Sequence, residues 1–264
     1  MSKRISDVTE FLEQIAPLNY QENYDNSGLI TGDPNWKISG VLTCLDTTLE
    51  VIQEAKIKGC NLIISHHPII FRAIKKLDVQ YYVDKVIIQA VKDDIAIYAI
   101  HTNLDNVLTN GVNETIANRL GLINHSILQV KNHPENVIGA GLLAESKEPL
   151  SCQDLLMLLK KNLLTGIIKY TKDLGRPINK LALCGGSGSF LIREAIKQGA
   201  DVLISSDFKY HDFFEANDQI VLMDVGHFES EQFTKDLLFN LISRNFPNFA
   251  SHCTKINTNP IQYY

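Results

Sequence analysis

The chain has 264 residues, 45% hydrophobic and 21% charged, with 25 Lys and Arg against 30 Asp and Glu. It is long enough for about two domains and apolar enough for a real core, which excludes disordered, collagenous and low-complexity classes. The net charge of −5 leaves none of the basic excess that supplies affinity for phosphate backbones, and so weighs against a nucleic-acid partner.

The cysteines (Cys44, Cys60, Cys152, Cys184 and Cys253) are odd in number, widely spaced and without a C-x-x-C pair. That pattern argues against a disulfide framework or a cysteine zinc site and fits reduced thiols in the cytoplasm. Asp7, Glu10 and Glu13 interrupt the opening segment, unlike the apolar stretch of a signal peptide. No apolar run of about 18 residues is present to span a bilayer. A cytoplasmic protein with no membrane partner is expected.

In chain order, Ile5, Val8, Leu12 and Ile15 recur at helical spacing, and Pro17 stops that helix. Residues 23–32 (NYDNSGLITG) form a turn-rich loop leading into extended structure. Residues 40–45 predict a buried strand. Thr47 with Glu50 has the spacing of a capping box for a helix that runs to about Lys58 and ends at Gly59. Residues 61–65 (NLIIS) predict a short strand, residues 83–92 a helix and residues 95–100 another strand. Residues 129–150 carry a mixed pattern. Further on, residues 181–184 predict a strand, 185–188 (GGSG) a turn, 190–198 a helix ended by Gly199, 201–205 and 220–225 strands, and 229–243 a long helix. This alternation predicts parallel sheets with helices on their faces. The glycine-rich turn has the form of a phosphate cradle at a helix N-terminus. It lacks the P-loop lysine, and a tight strand-to-helix turn is the plainer expectation.

Residues 41–65 shifted by 140 fall on residues 181–205 without a gap. Cys44/Cys184, Ile52/Ile192, Glu54/Glu194, Ala55/Ala195, Gly59/Gly199, Ile64/Ile204 and Ser65/Ser205 are identical pairs. Internal duplication explains both these matches and the shared strand–helix–strand order. The plain alternative is that any two such units share a glycine after the helix and β-branched residues in the strands.

Chemistry-bearing residues collect at the carboxyl ends of predicted strands, where open α/β sheets bind ligands. His66 and His67 directly follow NLIIS, and successive residues there aim to different sides. His101 and Asp105 (HTNLD) follow the strand at 95–100, and His227 and Glu231 (HFESE) follow the strand at 220–225. In both segments the histidine precedes a carboxylate by four residues, one face of a helix. Imidazoles with carboxylates suit zinc, iron or manganese better than calcium. Three histidines and two carboxylates exceed the needs of one ion and suggest two, about 3.5–4 Å apart. Singly, each has a bland alternative: a solvent-facing loop histidine pair, a histidine at a helix start, a surface glutamate. Recurrence at three strand ends favours the metal centre.

SHHP (65–68), HTNLD (101–105) and GHFESE (226–231) resemble the metal motifs of the NIF-three-like family, often labelled GTP cyclohydrolase I type 2 homologues. YDNSGLITGDP (24–34), LDTT (45–48), CGGSGS (184–189) and ADVLISSDFKYHD (200–212) strengthen the resemblance, which covers nearly the whole chain. Tyr24 stands where tryptophan is usual, and Ser206 where glycine is common. The length is similar to that of the shorter members, which lack an inserted central domain.

The resemblance implies an α/β fold of two similar three-layer α/β/α lobes, residues 1–128 and 129–264, with the C-terminal segment able to return to the first. It implies a dinuclear metal centre in the cleft between them, held by His66, His67, Asp105, His227 and Glu231, and a hexameric ring of identical chains. His101 matches a further histidine near the centre, and His211 is a cleft residue. His101 and His211 are the candidates to orient a ligand or carry a proton. The expected activity is metal-dependent hydrolysis of a nucleotide or phosphoester, with purine-ring opening of GTP suggested by the family label alone. The alternative is a non-enzymatic metal-binding ring or adaptor for other proteins.

Overall fold

The computed structural model describes residues 3–131, 133 and 137–264. Its strands are β1 (Gly28–Thr31), β2 (Gly40–Cys44), β3 (Leu62–Ser65), β4 (Ala96–Ala99), β5 (Ile123–Lys131), β6 (Ile138–Leu150), β7 (Lys169–Tyr170), β8 (Ile178–Ser187), β9 (Val202–Ser206), β10 (Val221–Asp224) and β11 (Ala250–Cys253). Its helices are α1 (Ile5–Ile15), α2 (Leu49–Ile57), α3 (Tyr82–Lys92), α4 (Thr102–Asp105), α5 (Val112–Leu120), α6 (Cys152–Leu163), α7 (Ile192–Lys197), α8 (His227–Glu231) and α9 (Thr234–Asn245). Two compact units divide the chain. One takes in residues up to Leu104 with Thr234–Pro260, the other Asp105–Phe233 with Ile261–Tyr264. Among the described residues no helix is long and apolar enough to cross a membrane.

The sheet of the first unit has the order β1-β4-β3-β2-β11. Strands β11, β2, β3 and β4 run parallel, and β1 joins β4 antiparallel. Every residue of β2, β3 and β4 is buried, as expected for parallel strands covered on both faces. Leu42, Cys44, Ile63 and Ile97 share one face and pack with Val51, Ile52 and Ala55 of α2 and Val86, Ile87 and Ala90 of α3. The alternate residues meet the other layer: Thr43 Oγ1 donates to the Lys235 carbonyl of α9 (2.8 Å), and the Tyr98 hydroxyl to Glu13 of α1 (3.3 Å). This unit is therefore a three-layer α/β/α body. Helix α2 starts one residue later than its expected box. Thr48 is the N-cap, its hydroxyl accepting from the Val51 N–H at 3.3 Å. Thr47 is instead buried, and its carbonyl accepts from the Tyr82 hydroxyl at 2.7 Å.

The sheet of the second unit has the order β5-β6-β8-β9-β10-β7. Strands β8, β9 and β10 are parallel; β5, β6 and β7 pair antiparallel. Ala182, Cys184, Leu203 and Leu222 pack with Ile192 and Ala195 of α7, and α5 and α8 also pack on β8. The mixed pattern over 129–150 resolves into the antiparallel pair β5 and β6; residues 132 and 134–136 lie outside the described residues.

The repeat extends to the register. Val41, Leu42 and Thr43 pair with Leu62, Ile63 and Ile64; 140 residues on, Leu181, Ala182 and Leu183 pair with Val202, Leu203 and Ile204. Gly59 and Gly199 follow the helices at φ 68° and 71°, left-handed C-terminal positions that favour glycine. The third strands join at equivalent places, Ala96 beside Leu62 and Val221 beside Val202.

Two expectations are corrected. Residues 185–187 are not a turn but the end of β8, whose register with β9 shifts between Leu183 and Ser187. The helix expected over 229–243 is broken into α8 and α9. Packing at residues 232 and 233 accounts for the break. Gln232 Nε2 donates to the Leu163 carbonyl (2.9 Å), and the Phe233 ring lies under the Arg119 guanidinium at 3.4 Å. Those anchors outweigh helix continuity.

Candidate metal centre

In the first unit β3 and β4 are parallel neighbours, so their carboxyl ends bring His66, His67 and His101 to one edge of the sheet. Backbone bonds run on past the strand ends: His66 N–H to the Cys44 carbonyl (3.2 Å), His67 N–H to Leu45 (3.0 Å) and Ile100 N–H to Ser65 (2.9 Å). The three imidazoles each offer a ligating nitrogen within 4.8 Å of the others. Their ring centroids are 5.0, 5.2 and 5.3 Å apart.

Each ring is oriented through Nδ1. His66 Nδ1 lies 2.8 Å from the Ile100 carbonyl, His67 Nδ1 2.7 Å from Asp46 Oδ1, and His101 Nδ1 2.7 Å from Asp25 Oδ1. Carbonyl and carboxylate oxygens only accept, so Nδ1 carries the proton in all three. In the neutral imidazole Nε2 is then the nitrogen with the lone pair, the arrangement found in histidine ligands of metals. Burial works to raise the Asp25 carboxyl, but hydrogen bonds from His101 and Thr102 hold it below the usual carboxylate range. Asp46 is lowered in the same way: burial opposes, and His67 and the Thr258 hydroxyl outweigh it.

In the second unit α8 presents His227 and Glu231 on one face, with Nε2 to Oε2 at 3.0 Å. His227 Nδ1 lies 2.6 Å from Asp207 Oδ2, repeating the pattern of the first unit. A carboxylate oxygen of Glu231 lies within 4.8 Å of one of Asp105. Burial disfavours charge on His227, but Glu231 and Asp207 raise its pKa to about 11. Burial, then the charges of Asp105 and Glu231, push the Cys184 thiol far up. A proton on His227 or a bound metal ion would each offset the negative charge of Glu231 and Asp207 here.

The glycine-rich end of β8 makes the space for Glu231. Gly186 has φ 62°, and a Cβ there would collide with Glu231 Oε1. Its N–H donates to Ser230 Oγ (2.9 Å), and its carbonyl accepts from Ser205 and Ser206 hydroxyls at 2.9 and 2.6 Å. The run is a seat for α8 rather than a phosphate cradle.

Of the residues singled out by the sequence, His66, His67 and His101 cluster in the first unit, and Asp105, His227 and Glu231 in the second. His211 is exposed, 5.2 Å from the Tyr210 ring and 6.0 Å from Phe214, and belongs to neither cluster. Asp25, Asp46 and Asp207 were missed as individuals. Their signal was a carboxylate in YDNSG, LDTT and SSDF, segments whose motifs were noted without a role. The donor set, imidazole nitrogen with carboxylate oxygen, fits a divalent zinc, iron or manganese ion.

Residues 3–260 match the family model described as Duf34/NIF3 (NGG1p interacting factor 3). A Clostridium acetobutylicum protein named GTP cyclohydrolase 1 type 2 homolog is 35% identical over 234 residues, 88% of this chain and 86% of that one. A Campylobacter jejuni relative of the same name is 32% identical over 264 residues, 99% of this chain and 100% of its own. The crystal structure of Staphylococcus aureus protein SA1388 has a TM-score of 0.90 at 30% identity, covering 99% of each chain.

Proposed function

The chain belongs to the Duf34/NIF3 family, and from that premise we propose that it is a metal-dependent hydrolase acting on a nucleotide or another phosphoester. His66, His67, Asp105, His227 and Glu231 are the residues that would hold two divalent transition-metal ions: zinc, iron or manganese. The observation that carries this proposal is the set of Nδ1 hydrogen bonds on His66, His67 and His227, each of which presets Nε2 as a ligand. Glu231, near both His227 and Asp105, is the carboxylate best placed to serve two ions.

The chemistry such ions supply when bound is Lewis acidity, which acidifies water and offsets charge on a phosphoester. His101, steadied by Asp25, orients the ligand or accepts a proton at Nε2. His211, whose exposed ring belongs to neither cluster, stays a second candidate for proton transfer through the family resemblance alone. The name borne by the relatives makes GTP the first substrate to try. The working form proposed is a hexameric ring of identical chains in the cytoplasm.

A second reading, a non-enzymatic metal-binding ring or adaptor, is favoured by the family description, which names an interacting factor. One experiment separates them: metal analysis of freshly purified and of reconstituted protein, followed by turnover of GTP and simple phosphodiesters with added Mn or Zn. Hydrolysis requires bound metal and a rate abolished by His66→Ala and by Asp105→Ala. Less than about one ion per chain after reconstitution overturns the two-ion centre. Stoichiometric metal without turnover moves the assignment to the second reading.

A further inference from the structure

Next to the histidine cluster, the first unit exposes two aromatic rings in contact. The Phe71 centroid is 6.0 Å from that of His101, and the Tyr24 centroid is 6.2 Å from Phe71 at an interplanar angle of 38°. Tyr24 is 64% and Phe71 48% exposed. Single exposed aromatics are ordinary, but a pair placed against a candidate metal cluster is a patch with an address. The pair is also held in place. Asn26 Nδ2 donates to the Ile70 carbonyl at 2.7 Å, tying the Tyr24 loop to the Phe71 loop. His101 N–H donates to Ser27 Oγ at 3.3 Å, tying the same loop to the cluster.

We propose that Tyr24 and Phe71 form a stacking platform for the planar ring of a phosphorylated heterocycle. An aromatic face accepts any flat π-system, so the platform selects planarity rather than one particular base. This inference rests on the nucleotide or phosphoester assignment above and adds what the substrate must carry besides its phosphate. It also places the ring of the ligand against His101 rather than in the second unit.

The test is calorimetric binding of GMP, AMP and ribose 5-phosphate to the full chain, with metal content measured on the same samples. The expected result is both nucleotides binding about tenfold or more tighter than ribose 5-phosphate. Phe71→Ala should remove that margin while leaving ribose 5-phosphate affinity and metal content unchanged, and Phe71→Trp should retain it. Equal affinity of the three probes, binding of none of them, or a margin that survives Phe71→Ala overturns the platform. A wild-type chain that holds no metal overturns the metal centre alone, because the base margin is still read on that metal-free chain.

Discussion

Gly186 and Glu231 are shaped to one another: Glu231 Oε1 stands within clashing distance of where a Cβ on residue 186 would be, and the residue has φ 62°. Gly186→Ala therefore adds backbone strain of about 1–2 kcal/mol and forces the Glu231 carboxylate to move. The expected outcome is a folded protein with metal affinity reduced about 10–100-fold, measured by competitive chelator titration. Unchanged affinity would show that Glu231 is not a ligand or that α8 yields freely.

Asp46 and His67 offer a test of orientation without removing a ligand. In Asp46→Asn the 2.7 Å contact to Nδ1 no longer carries a charge, and the amide is free to present a donor there. Metal affinity should fall about 10–100-fold, with little further loss in Asp46→Asn/His67→Ala over His67→Ala alone. Additive losses would mean that Asp46 acts on something other than His67.

Glu54 predicts an acid-sensitive tether for the strand β11. Burial works to raise its carboxyl, but Lys58, the Thr254 hydroxyl and the Lys255 N–H hold it below its ordinary value of 4.5. A group lowered in the folded state adds stability above its unfolded pKa, and that contribution is lost as pH falls through the folded value. Wild type should exceed Glu54→Gln by about 1–2 kcal/mol at neutral pH, and the two should converge as pH drops below about 4.5. Thermal melts across pH 3–7 measure this, and parallel curves would remove the tether.

Tyr263 fastens the chain's last residues to α8. Its hydroxyl donates to Glu229 at 3.0 Å, and Glu229 is buried. Burial and then that carboxylate push the phenol up to about 12, so it remains a donor throughout the working range. Tyr263→Phe should cost about 1–3 kcal/mol in chemical unfolding, because a buried carboxylate loses a donor. No loss would mean that water replaces the hydroxyl.

The local chemistry of residues 40–65 and 181–205 determined much by itself. Short runs of β-branched and aliphatic residues bounded by turn signals fit buried strands, Gly59 and Gly199 end helices where a side chain is disfavoured, and a repeated spacing repeats a register. His66, His67, His101, His227 and Glu231 were legible for the same reason, since each lies one or two residues beyond a strand or within one helical turn. What the tertiary structure decided is everything that joins distant segments. Asp25 meets His101 across 76 residues, Asp46 meets His67 across 21, and Asp207 meets His227 across 20. No periodicity in a single segment encodes those pairs. Residues 250–253 join β2 as β11, a strand that its neighbours in sequence do not announce. The glycine run at 185–188 shows the limit most sharply. Its composition signals an unusual backbone, but only the packed α8 reveals that the missing side chains make room for a carboxylate.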